Sequence, residues 1–161
     1  MYAFKHLGIL GKQGSGKTTL ANLLHKIIPG SKIVHLADAL KILFYDTYMQ
    51  DKQTDEAKIA WVNAHKHHYR PELQAMGTRM RHIQGEDYWI NKLDNTLGFA
   101  TVVIVPDIRY HNEAERMDYL IRLEPQDSVR RARIEVVGED HPSESGIPDI
   151  KAHLTLYDWT V

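Results

Sequence analysis

Eight residues near the start of the chain, Gly11-Lys12-Gln13-Gly14-Ser15-Gly16-Lys17-Thr18, match G-x-x-x-x-G-K-[ST] at every fixed position. Glycines in that pattern let consecutive backbone N–H groups curl around a phosphate, and a helix starting directly behind them adds positive potential. Lys17 is spaced to reach the β- and γ-phosphates of a nucleotide, and the Thr18 hydroxyl to meet Mg²⁺. Gln13, Ser15 and Thr19 complete the set expected to contact the triphosphate. A second signal is Asp107, directly after the run "VVIVP". A carboxylate at the C-terminal end of a central strand faces the crevice where open α/β sheets bind ligands, and there it could hold Mg²⁺.

The receiving group is the open question. Water as acceptor makes an ATP-binding switch or slow ATPase. A hydroxyl acceptor favours a carboxylate base, for which Asp38 is the candidate. A phosphate acceptor is already an anion and needs no base; its difficulty is repulsion between two polyanions, relieved by arginines. The chain carries such arginines at expected element ends: Arg79 and Arg81 in "GTRMRHI", Arg109 in "PDIRY", and Arg130, Arg131 and Arg133 in "SVRRAR".

These groups need a scaffold, and the hydrophobic pattern supplies one. "KHLGIL" (5–10), "KIVHLA" (32–37), "TVVIV" (101–105), "YLIRL" (119–123) and "HLTLY" (153–157) read as strands. Helical spacing follows Lys17 up to the stop at Pro29-Gly30. It returns over 38–49, with Asp38 as N-cap and Leu40, Leu43, Phe44 and Thr47 on one face. Residues 51–98 read as mostly helical, punctuated by Gly77 and Gly85, with Trp89, Leu93 and Leu97 as a stripe. "NEAERM" (112–117) reads as a short helix with Asn112 and Glu115 spaced as a capping box, and Asp127 as the cap of "SVRRARIEVV", which Gly138 ends. Alternating strands and helices predict an α/β fold with a mainly parallel sheet and helices on both faces. We expect one domain over 1–161, with 51–98 as a helical substrate-binding insertion and 127–148 as a short lid.

Composition narrows the function classes. A 161-residue chain with 43% hydrophobic and 25% charged residues is long enough for a real core. Its formal net charge of −1 offers no global field for nucleic acid, so an anion site has to be local. The absence of cysteine excludes disulfides and thiolate sites and suits a cytoplasmic protein. No apolar stretch approaches the length of a membrane span, and the first residues lack signal-peptide character. "HKHH" (65–68) reads as a solvated helix face rather than a metal site.

Taken in order, "GKQGSGKTTLANLL", "LADALK", "QAMGTRMRHIQGEDYW", "VVIVPDIRYHNEAE", "YLIRLEP" and "DHPSES" resemble the phage-type deoxynucleoside monophosphate kinases over roughly residues 6–158. The resemblance implies a P-loop kinase fold with a monophosphate-binding insertion and a lid. It also implies transfer of the γ-phosphate of ATP, with Mg²⁺, to a deoxynucleoside 5′-monophosphate. It implies that Asp38 and Lys41 face the monophosphate, and that Gly77, Thr78, Arg79 and Arg81 line the acceptor site, with Asp87 and Trp89 behind. Asp107 and Arg109 match the family's D-x-R, Glu113 its following acid, Arg130 and Arg131 its lid arginines, and His141, Ser143 and Glu144 its H-x-S-E. Lys17, Arg109, Arg130 and Arg131 are the implied catalytic cations. Small molecules are the implied partners, without nucleic acid or membrane, and a homodimer stays open. The chain departs from the pattern at Met117-Asp118, where a glycine-rich turn is expected. Other hydroxyl-directed P-loop kinases, such as those for dephospho-coenzyme A or nucleosides, remain the alternative, with a non-kinase ATP-binding module behind them.

Overall fold

In a computed structural model, residues 5–93, 98–132 and 149–157 are described. The chain divides into two compact units, one made of residues 1–34 and 97–161, the other of residues 35–96.

The first unit is built on five parallel strands, β1 (His6–Leu10), β2 (Ser31–Ile33), β3 (Val102–Ile108), β4 (Tyr119–Glu124) and β5 (Leu154–Tyr157). They lie in the order β2-β3-β1-β4-β5. β1 is therefore paired on both sides, Leu7 standing beside Ile104 of β3 and Tyr119 of β4. Strands paired on both edges and covered on their faces must be apolar almost throughout, and β3 meets that demand, with Val102–Pro106 and Ile108 buried. Helix α1 (Lys17–Ile27) lays Leu20 and Ala21 on the sheet with Leu7, Ile9, Ile104, Ile121 and Leu123. Among the described residues, this unit also has α5 (His111–Glu115) and α6 (Asp127–Ala132).

Two details fix β1 in register. A Cβ on Gly8 would lie 2.6 Å from the Met117 side chain and 2.7 Å from that of Leu120. The position is thus closed to any side chain. Asp118 replaces the expected glycine turn with a polar tie: its Oδ2 accepts the backbone N–H groups of Lys5 and His6, both at 2.9 Å, and faces His6 Nδ1 at 3.3 Å. Those donors, His6 first, hold the Asp118 carboxyl below its ordinary value of 3.8.

The second unit is helical: α2 (Leu36–Tyr48), α3 (Asp55–Gln84) and α4 (Tyr88–Leu93). Its core is Phe44, Tyr45, Val62 and Leu73, with Trp61 and Tyr69 packed against it. Thr54 caps α3 by accepting Ala57 N–H, and Gly85, at φ 100°, ends it. With 30 residues, α3 runs about 45 Å at the normal helical rise.

Several boundaries differ from expectation. Residues 36 and 37, expected in a strand, open α2, because Leu36 starts the four-residue stripe continued by Leu40 and Phe44. His35 is consequently the N-cap, and Asp38 lies inside the first turn. Thr47 faces solvent and donates to Leu43 O at 2.7 Å, leaving Tyr45 to fill the core. Gly77 and Thr78 fall within α3, not at a break. The cap of α5 is Tyr110 with Glu113, two residues earlier than Asn112 with Glu115. Leu97, Gly138 and most of the expected lid lie outside the described residues.

Gly8→Ala is expected to lower unfolding free energy by about 1–3 kcal/mol through overpacking, read from urea denaturation. Asp118→Asn should cost stability in full above pH 3.8, since a lowered carboxyl stabilises the fold only while ionised. The gap between wild type and variant should close as falling pH protonates Asp118, which denaturation at neutral and acid pH will read.

Candidate phosphotransfer site

The phosphate loop leaves the C-terminal end of β1, the strand at the centre of the sheet. Gly11 has φ 155°, and a Cβ there would meet Ser15 Oγ at 2.6 Å and Leu123 O at 2.8 Å, so loop and β4 touch through backbone. The loop turns back on itself where Ser15 N–H meets Lys12 O at 3.1 Å. Gly16, at φ 95°, is the N-cap of α1, which puts Lys17, Thr18 and Thr19 in the first helical turn. No acidic side chain occupies that turn, leaving the positive helix end to the loop. The Lys17 ammonium donates to the carbonyls of Gly11 and Lys12, the latter at 2.8 Å. Thr18 and Thr19 are exposed, whereas Ser15 is buried to 1% with no partner for its hydroxyl. These elements could hold a triphosphate.

Asp107 occupies the end of β3, where neighbouring Ile108 pairs with Leu10, the last residue before the loop. Backbone pairing therefore brings the carboxylate and the loop to the same edge of the sheet. Arg109, two residues on, is exposed. The turn that carries it is fixed by Glu113, buried to 5%, whose Oε2 accepts Arg109 N–H at 2.9 Å and Tyr110 N–H at 3.1 Å. Glu113 thus holds the segment that presents Arg109. The oxygen donors Thr18 and Asp107 suit Mg²⁺, which takes few protein ligands beside phosphate and water. No group of three His, Cys, Asp or Glu side chains fit for a metal exists among the described residues, and such a phosphate-linked ion requires none.

Arg130 and Arg131 divide into two environments. Arg131 is exposed near the end of α6. Arg130 is buried to 4%; its Nε donates to Asp127 Oδ1 at 3.1 Å and its Nη1 to Gln13 O at 3.2 Å. Beside it opens a cleft of about 320 Å³, lined among others by Gly11, Lys12, Ser15 and Arg122. Arg122 was not among the sequence candidates. An arginine inside the buried strand "YLIRL" was the available signal, and it reaches Glu124 Oε1 at 3.1 Å.

The helical unit holds the remaining candidates. Asp38 and Lys41 form an ion pair of 2.8 Å on α2. Thr78 and Arg79 are exposed on α3, and Arg81, in its last turn, is half-buried with Nη1 inside. Trp89 is 7% exposed and donates Nε1–H to Gly77 O at 3.0 Å, tying α4 to α3. Asp87 is exposed. His65, His67 and His68 all face solvent, as expected of a solvated helix face. Arg133, His141, Ser143 and Glu144 lie outside the described residues. Among the described residues, no helix is long and apolar enough to cross a membrane.

Glu113→Ala leaves two part-buried backbone N–H groups without their carboxylate. We expect a loss of about 1–3 kcal/mol in stability and a fall in turnover, measured by thermal melts and ADP release.

Comparison with known proteins agrees with this architecture. A crystal structure from Thermus thermophilus, of the protein TT1252, aligns with a TM-score of 0.56 at 18% identity, covering 97% of this chain and 89% of that one. That likeness establishes the fold. A search of curated protein sequences gave no significant match. The family model for phosphomevalonate kinase matches residues 9–122, from the end of β1 through the loop, the helical unit and β3 into β4. The chain belongs to the phosphomevalonate kinase family, and with it to the small-molecule phosphotransferases.

Proposed function

We propose that the protein transfers the γ-phosphate of ATP to the phosphate of a deoxynucleoside 5′-monophosphate, giving ADP and the deoxynucleoside diphosphate. The observation that carries a phosphate rather than a hydroxyl acceptor is the state of Asp38. The one carboxylate read as a possible base is tied at 2.8 Å to the ammonium of Lys41. An acceptor phosphate oxygen attacks the γ-phosphorus, and the bond to the β–γ bridging oxygen breaks with ADP as leaving group. No proton need be removed.

The motif positions and the resemblance support the following residue roles. Backbone N–H groups of Gly11–Thr18 and the start of α1 hold the donor phosphates, with Lys17 countering charge on the transferred group. Thr18 and Asp107 would hold Mg²⁺, which would supply charge neutralisation for the donor phosphates. Arg109 and Arg131 offset the repulsion between the two anions. The resemblance gives Lys41, Arg79 and Arg81 to the acceptor's phosphate, and within the helical unit Asp38 orients Lys41.

The nucleotide acceptor is supported by the series "GTRMR", "DIRYHNEAE", "IRLEP" and "HPSE". A second reading is favoured by the family match, whose name makes phosphomevalonate the acceptor. The two share their chemistry, since each acceptor already carries a phosphate.

The deciding experiment is ADP release measured across ribo- and deoxynucleoside monophosphates with phosphomevalonate alongside. Turnover is expected with a deoxynucleotide. Turnover with phosphomevalonate alone would move the acceptor to that reading, and silence on all would sink the phosphate-acceptor proposal. Lys17→Ala should cost about 10²–10³ in kcat, as for other charge-stabilising deletions. Asp38→Asn should raise the acceptor KM while largely keeping kcat; collapse of kcat would point to a hydroxyl acceptor.

A further inference from the structure

We infer that Arg130 is a positioning residue for the phosphate loop, setting the direction of the Gln13–Gly14 peptide rather than touching the transferred phosphate. This rests on the reading of residues 11–18 as a nucleoside triphosphate site.

A trans peptide points its C=O and N–H in opposite directions. Whatever holds the Gln13 carbonyl therefore also aims the Gly14 N–H. Arg130 Nη1 donates to that carbonyl at 3.2 Å. The guanidinium is itself fixed, buried to 4% and held through Nε by Asp127 Oδ1 at 3.1 Å. The peptide needs such a hold because its second residue is glycine. Gly14 has φ 79°, and a flip of the peptide would carry it to negative φ, which glycine adopts as readily. In the flipped form a carbonyl oxygen replaces an N–H donor in the loop, and repels an anion. Arg130 thus selects the anion-binding form of a segment whose sequence permits both. Arg131, exposed on the same helix, is left as the cation able to move toward substrate.

The test is calorimetric titration of Mg·ATP into the full chain without acceptor, joined to ¹⁵N–¹H spectra of the Gly14 amide. Arg130→Ala should weaken ATP binding on the order of tenfold, the scale of a charge-assisted hydrogen bond. It should also shift or broaden the Gly14 resonance. Arg130→Lys should recover only part of the affinity, because an ammonium lacks the planar fork that spans both partners. Asp127→Asn should weaken binding in the same direction, and less than additively when combined with Arg130→Ala. Unchanged ATP affinity and an unmoved Gly14 amide in folded Arg130→Ala would overturn the inference. No acceptor or turnover enters the titration, so a failed acceptor screen does not affect it. Failure of the unmodified chain to bind ATP would overturn the triphosphate-site reading itself.

Discussion

The chemistry of this chain hangs on the pairing of β1 with two neighbours at once. β3 on one side and β4 on the other hold the strand so that its last residue, Leu10, delivers the phosphate loop to a fixed place. The same ladders bring Asp107 on β3, and Pro125 and Asp127 just beyond β4, to the loop's edge of the sheet. That edge is where strand order reverses direction around β1, the place where open α/β sheets bind ligands. A displaced β1 would scatter every donor in the site, and both Gly8 and Asp118 keep it seated, one by steric closure and one by polar capture.

Around that strand the charged groups are divided by task. Glu113 and Arg130 are the most buried charges beside the loop and its neighbour turn, and both hold backbone, Arg130 being itself held by Asp127. Arg109, Arg131 and Thr18 are exposed at the same elements. Buried charges must be matched by fixed partners, so they make good struts, whereas exposed ones stay in reach of solvent. The proposed site for two anions would benefit from both kinds. In that reading the struts keep the loop's donors aimed, and the exposed cations supply neutralisation when substrate arrives.

Much of this was legible in the sequence, for physical reasons. The loop motif and the run "VVIV" depend on local pattern alone, and their elements stand where pattern put them. Helix α2 was misread at its start because Leu36 belongs to a stripe that only packing reveals. The role of Glu113 was hidden for a related reason. Its capping partner is a tyrosine position, Tyr110, which ordinary cap preferences do not mark. Gly77 looked like a break, yet the long α3 carries it without interruption, held in place by α2 and α4. Arg130 and Arg131 are adjacent and chemically identical, so no reading of residue types could part them. Only a helix turn, which sends one inward to Gln13 and the other to solvent, does so.

The central place of β1 also dictates an order of assembly. During synthesis β1 emerges before both of its partners, β3 and β4, which follow only after the whole of α2, α3 and α4 has been made. The helical segment forms contacts between near neighbours in the chain and can condense while the ribosome is still translating the sheet. The first strand, with its apolar run and the glycine-rich loop, must wait unpaired through that interval. The phosphate loop is therefore synthesised ahead of the strands that shape it and takes its form only after they follow.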